Sequence, residues 1–132
     1  MATKELIQIL EDVDSGKMTL EEAVKDTSVK ILLEFSFDPA KKLLLPEGMP
    51  PHNASLRPVG LSEANIRQIV RKLDIYLRKE VSQVKREQLF ISALEAVHPS
   101  EATLLVHIKD QALTEMYPNI TKEAVSAIGI GV

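Results

Sequence analysis

Apolar residues recur along this chain at spacings of three and four, and no segment alternates apolar with polar residues in the manner of a half-buried strand. Leu6, Ile7, Leu10 and Val13 form one stripe and predict a helix over residues 3 to 13, with Thr3 as N-cap and Asp14-Ser15-Gly16 as its stop. Thr19 and Glu22 have the spacing of a capping box, opening a short helix with Leu20, Ala23 and Val24. Thr27 or Ser28 caps a third helix that buries Ile31, Leu32 and Phe35. It ends near Asp38, because Pro39 pushes the preceding residue out of the helical region. Asp38-Pro39 in turn reads as cap and first-turn proline of one more helical turn, closed by Pro46.

From Pro46 to Gly60 the prolines and glycines exclude a helix or a central strand, and the stretch predicts an ordered crossover loop at 46–61, packed by Leu56 and Val59. Ser62 then caps the most regular helix, with Leu61 and Ile66 as hydrophobic staple. At helical spacing Ile66, Ile69, Val70, Leu73, Tyr76 and Leu77 share an arc of about 120°, whereas Arg67, Arg71 and Arg78 lie within about 40° of one another on the far side. Lys72 and Lys79 make a second basic row. Ile75 falls between the two rows, where a solvated face would be polar, and reads as a contact with another helix or as an interface anchor.

Further on, Leu89, Phe90, Ala93, Leu94 and Val97 mark a fifth helix, stopped by His98-Pro99. Leu104, Leu105 and Ile108 mark a sixth, starting at Ser100. Leu113, Met116 and Tyr117 form a short element ended by Pro118, and Thr121 and Gly129 bracket a last helix. The pattern therefore predicts an all-α fold: a compact bundle of about six to eight short helices in one domain over 1–132, with N-terminal helices in 1–45, the loop at 46–61 and C-terminal helices in 62–132. The predicted core is Leu6, Leu10, Leu32, Phe35, Ile66, Ile69, Leu73, Phe90, Leu94, Leu105 and Ile108.

Composition narrows the chemistry. The 132 residues contain no cysteine, which excludes disulfides, thiolate metal sites and cysteine nucleophiles. No apolar run reaches membrane-spanning length, and Glu5 and Gln8 interrupt what a signal peptide would keep apolar, so a soluble, cytoplasmic protein with no membrane partner is expected. His52, His98 and His107 do not pair at metal-ligand spacing. Glu34 with Asp38 is a common arrangement on a solvated face, as is Asp110 with Thr114, and neither makes an acid pair. No phosphate loop or nucleophile elbow is present, and the expectation is a non-enzymatic protein with no cofactor and no metal.

Charge is the stronger signal. The net charge is only −3, yet Arg67, Arg71, Lys72, Arg78, Lys79, Lys85 and Arg86 stand against Asp74 and Glu80 alone, a local +5 between acidic flanks. One reading is a phosphate-binding surface for the backbone of duplex nucleic acid; the other is a solvated face whose cations pair with neighbouring acids. Aromatics make up 4% of the chain, too few for single-strand stacking as the main mode. A second candidate surface is the string Leu45-Pro46-Glu47-Gly48-Met49-Pro50-Pro51. It reads as a rigid crossover, or as a docking strand presenting Met49, Pro50 and Pro51 to a partner protein. Met49, Ile75 and Tyr117 are the candidate anchors of such an interface, and a monomer or weak dimer is expected.

Phe37-Asp38-Pro39, Leu45 to Pro51, Arg86-Glu87-Gln88-Leu89-Phe90 and Leu94-Glu95-Ala96-Val97-His98-Pro99 resemble a family of small uncharacterised proteins of T4-like tailed phages. Glu101-Ala102, Leu104-Leu105, Lys109-Asp110, Leu113, Tyr117-Pro118 and Ile120-Thr121 extend that resemblance over residues 30 to 125. The sequence departs from the family's pattern at His52, Glu101 and the ending Ala127-Ile128-Gly129. A weaker likeness, carried by Leu6 to Leu10, Phe37-Asp38-Pro39 and Leu45-Pro46, is to the N-terminal DNA-binding domain of phage ATP-dependent DNA ligases. Lys72-Leu73-Asp74-Ile75 does not reproduce the ligase nucleophile motif. The phage family has no assigned activity; the resemblance to it implies a phage protein acting in the host cytoplasm during infection, and the ligase likeness favours DNA binding without chemistry. With the charge and loop patterns, the expectation is an accessory protein that binds nucleic acid through its basic helix, the alternative being an adaptor or inhibitor on a host or phage protein such as a polymerase subunit.

Overall fold

The computed structural model describes residues 5–51 and 65–131, and among these the chain is all helical, without strands. In order come α1 (Leu6–Asp14), α2 (Leu20–Ala23), α3 (Thr27–Phe37), a 3₁₀ turn (Pro39–Lys41), α4 (Ile66–Val70), a 3₁₀ helix (Leu73–Leu77), α5 (Gln83–Ala96), α6 (Pro99–Lys109), α7 (Leu113–Met116) and α8 (Lys122–Ala127). This is the bundle of short helices that the periodicity predicts. Its centre is α6, whose Ala102, Leu104, Leu105, Val106 and Ile108 are buried on several faces at once, and α3, α5 and α7 pack around it. One continuous apolar cluster joins these residues to Leu6 and Leu10 of α1, Leu32 and Phe35 of α3, and Phe90 and Leu94 of α5. Of the predicted core only Ile69 stays partly exposed. Tyr117, expected as an interface anchor, is buried instead, and burial raises its phenol to about 12, with Glu11 and Asp14 adding to the shift.

Helix ends follow side-chain chemistry more closely than position in the sequence. Thr19, Ser82 and Thr121 each accept an N–H from the residue three positions on, as cap residues do. Helix α1 starts after Glu5, and Thr3 lies outside the described residues, as do His52, Leu56, Val59, Leu61 and Ser62. Helix α3 is capped by Asp26 rather than by Thr27 or Ser28. A carboxylate two residues before Ser28 reaches its N–H at 3.0 Å, and Thr27 and Ser28 are taken into the first turn. His98 caps α6, with Nδ1 accepting the Ser100 N–H, so that helix begins at Pro99, one residue ahead of the Ser100 start.

The largest difference from the sequence expectation lies in the basic helix. It is capped by Asn65, which exchanges hydrogen bonds with Gln68 in a complete capping box, and it ends at Val70 after five residues. From there the chain winds tighter, with the Lys72 N–H donating to the Ile69 carbonyl and the Ile75 N–H to the Lys72 carbonyl. Three residues per turn align positions three apart. Val70, Leu73 and Tyr76 therefore form one buried row, Ile69, Lys72 and Ile75 a second beside it, and Arg71 and Asp74 point to solvent. Ile75 is half-buried against the core for this reason, and the arginines do not share one stripe.

Candidate functional site

Two of the seven expected phosphate-binding cations serve the fold. Arg67 forms an ion pair with Asp26 at 2.5 Å, tying α4 to the cap of α3. Arg86, far from facing solvent, is buried on α5. Its guanidinium donates to the carbonyls of Leu44 (3.1 Å), Arg78 (3.2 Å) and Val81 and to the Gln83 side chain (2.6 Å). It thus organises the turn between the 3₁₀ helix and α5. Arg71, Lys72, Arg78, Lys79 and Lys85 are exposed. Arg78 meets Asp74 at 3.3 Å with both side chains more than half exposed, an arrangement that contributes little.

Three of these exposed cations, Arg71, Lys72 and Lys85, border a groove or its continuations. One wall is the row Ile69, Lys72 and Ile75; the other is the α5 stripe Leu89, Ala93 and Ala96, and the hollow between them measures about 300 Å³. Its floor includes Tyr76, whose ring meets Phe90 edge-on at 5.7 Å and whose phenol is pushed up to about 12 by burial. Through Ile69 and Lys72 the groove continues into an open basic depression with Arg67 and Arg71. Through Leu89 and Ser92 it continues into another with Lys85 and Gln88. The result is an apolar channel with basic ends.

Two polar contacts add to the buried Ile66 and Val70 in positioning the α4 wall. One is the Asp26–Arg67 pair. The other is Glu101, nearly buried in the first turn of α6, whose carboxylate takes the Ile66 N–H. Burial raises the Glu101 carboxyl above its ordinary value, and Glu5 adds to this, while hydrogen bonds from the amides of Ile66 and His98 act in the opposite direction. Periodicity cannot show this carboxylate as buried, because its partner stands 35 positions earlier in the sequence.

On the other side of α5 the Pro-rich string makes a second surface. Lys109, almost completely buried, donates to the Pro46 carbonyl at 2.6 Å and pairs with Asp110, whose second oxygen accepts the Gly48 N–H at 3.0 Å. Gly48 takes a φ of +88°, which a side chain would strain, and the chain then runs through exposed Met49 to Pro50 and Pro51. The structure thus keeps Met49 accessible, but it separates the loop from Ile75, which lies in the groove.

Among the described residues no group of three or more His, Asp or Glu is placed to hold a metal ion, and no helix is long and apolar enough to cross a membrane. Fold and surface define a small all-helical protein with a basic-ended apolar groove and a clipped proline loop. By its sequence the chain belongs to a family of unknown function, DUF6433, whose model matches residues 5–115 and so includes both surfaces. No curated protein and no solved structure matches it.

Proposed function

We propose that this protein is a non-enzymatic adaptor, of the phage accessory kind, that holds an acidic amphipathic helix of a partner protein in the groove between the 3₁₀ wall and α5. The observation that carries this is the pairing of an apolar lining, Ile69, Ile75, Leu89, Ala93 and Ala96, with exposed cations at both ends, Arg71 and Lys72 on one side and Lys85 on the other. An amphipathic helix would bury its apolar stripe on that lining and set its acids against the cations. Ala93 and Ala96 leave room for a helix to approach closely. A duplex backbone matches the cations alone and gains nothing from the apolar lining. It would also engage fewer of them than the sequence promises, since Arg67 and Arg86 are held by Asp26 and by backbone carbonyls. Backbone contact with duplex nucleic acid by Arg71, Lys72, Arg78, Lys79 and Lys85 is the competing function.

Fluorescence polarisation separates the two. The probes are a labelled helical peptide with leucines at positions i, i+3, i+4 and i+7 and glutamates between, its scrambled counterpart, and a labelled duplex of about two turns. The adaptor function predicts saturable binding of the amphipathic peptide alone, retained at moderate salt and weakened about tenfold or more by Ile75→Glu in a variant whose circular dichroism is unchanged. Duplex binding whose log affinity falls with log salt at a slope of about −3 to −4, without peptide binding, would reverse the assignment.

A further inference from the structure

The clipped loop and α5 enclose a cavity of about 310 Å³ outside the groove, at the small end of the range for ligand sites and suited to a single large side chain. Its lining combines Met49, Pro50 and Pro51 on the loop with Phe90 and Ile91 on α5. Three charged groups complete it, of which Glu47 pairs with Lys42 at 3.3 Å. Glu87 has no hydrogen bond or ion pair with any described residue, whereas Lys109 is committed to the Pro46 carbonyl and Asp110.

These groups select a ligand. An anionic side chain meets Glu87 and a cationic one meets Lys109, both at a cost in a largely apolar site. A neutral side chain with a single donor satisfies the Glu87 carboxylate and leaves no acceptor of its own unpaired. Proline rings and a thioether favour a flat aromatic face. Indole has all of these properties: a large apolar body, one N–H donor and no acceptor. We infer that this cavity is a docking pocket for a tryptophan side chain of a partner protein, with the indole N–H donating to Glu87. The pocket is formed before any ligand arrives, because Lys109 and Asp110 fix the loop at Pro46 and Gly48 and Arg86 fixes it at the Leu44 carbonyl, so little ordering opposes binding.

The chain contains no tryptophan, so the fluorescence of an added indole is read without background from the protein. Titrating the whole protein into N-acetyltryptophanamide gives a saturable blue shift. The 1-methyl analogue, which lacks the donor, binds about fivefold or more weakly, and so does N-acetyltyrosinamide. Glu87→Gln exchanges a charge-assisted bond for a neutral one and weakens binding about threefold to tenfold. Met49→Ala, at an exposed loop position, weakens it without altering thermal stability. Absence of a blue shift that saturates with protein concentration, equal affinity for the methylated analogue, or indifference to both substitutions would each overturn the assignment. Acidic-helix binding in the groove is read with a different probe and tested by Ile75→Glu, so either assignment can fail alone.

Discussion

Replacing Arg86 by Met is the most discriminating single substitution, because it separates a structural cation from the exposed ones beside it. Methionine keeps an unbranched apolar stem in the same channel, so the loss falls on the guanidinium. That group serves the carbonyls of Leu44, Arg78 and Val81 and the Gln83 side chain, drawing the stretch that follows the 3₁₀ turn and the end of the 3₁₀ helix onto α5. Charged hydrogen bonds contribute roughly 1.5–3 kcal/mol each in favourable settings, and the desolvation of the guanidinium offsets part of this. Three carbonyls left without their donor, each partly reachable by water, cost roughly 1 kcal/mol apiece, for a net loss of about 3 kcal/mol. In a chain of this size that corresponds to a fall in Tm of about 10–15 °C. Urea denaturation followed by circular dichroism gives the free energy directly. Arg86→Lys, which retains the charge but not the fork of donors, falls between wild type and Arg86→Met, and Lys85→Met, one residue away and exposed, changes stability by less than about 0.5 kcal/mol. A loss below about 1 kcal/mol in Arg86→Met would refute the structural role and return Arg86 to the surface cations.

Leu73→Ala, at a fully buried position of the 3₁₀ helix, costs about 2–5 kcal/mol by chemical denaturation, and a value below about 1 kcal/mol would place that helix outside the core. Glu101 has a raised carboxyl pKa in the folded protein, so its contribution is fully present below the unfolded value and is lost as pH rises through the folded one. Glu101→Gln removes that loss, and its stability relative to wild type therefore improves as pH rises from the ordinary carboxylate range through the raised folded value; a difference independent of pH would contradict the shift. Lys109→Met frees the Pro46 carbonyl and leaves Asp110 without its cation, costing about 2–4 kcal/mol and speeding proteolysis around Gly48, whereas an unchanged cleavage rate would mean that the loop is held by other contacts.

The architecture is legible in the sequence because apolar spacing and stop residues act locally. Pro39, Pro99 and Pro118 end or open elements where a chain lacking an N–H must, and Leu32, Phe90 and Leu105 are inside because they recur with other apolar residues at helical spacing. The basic helix is misleading for a definite reason. A pattern counted at 100° per residue takes an α-helix throughout for granted, and Val70, Leu73 and Tyr76 suit three residues per turn as well as they suit 3.6. The cations mislead because charge alone does not indicate a partner. Arg67 is used by Asp26, 41 positions away, and Arg86 by carbonyls that every residue carries. Lys109 is inconspicuous for a similar reason: a lysine in the last turn of a helix reads as solvated until the loop that covers it is located. Met49 and Ile75 stand out in the sequence as unusual, but only the structure assigns them to separate hollows.

The two walls of the groove differ in how they hold their shape. Helix α5 runs for 14 residues on its own hydrogen-bond ladder, whereas α4 has five and continues as a 3₁₀ segment. A single helical turn does not persist in isolation, so α4 keeps its place through buried Ile66 and Val70, the Asp26 carboxylate and Glu101 at the Ile66 amide. Both sides of the channel reach into the core, this one through Ile66 and Val70 of α4 and Leu73 and Tyr76 of the 3₁₀ helix, but α4 has the shorter hydrogen-bond ladder to resist local opening. Amide exchange in Arg67 to Lys72 is then faster than in the middle of α5, and it slows when the channel is filled. The channel thus has one wall that carries its own scaffold and one that borrows it from α3 and α6.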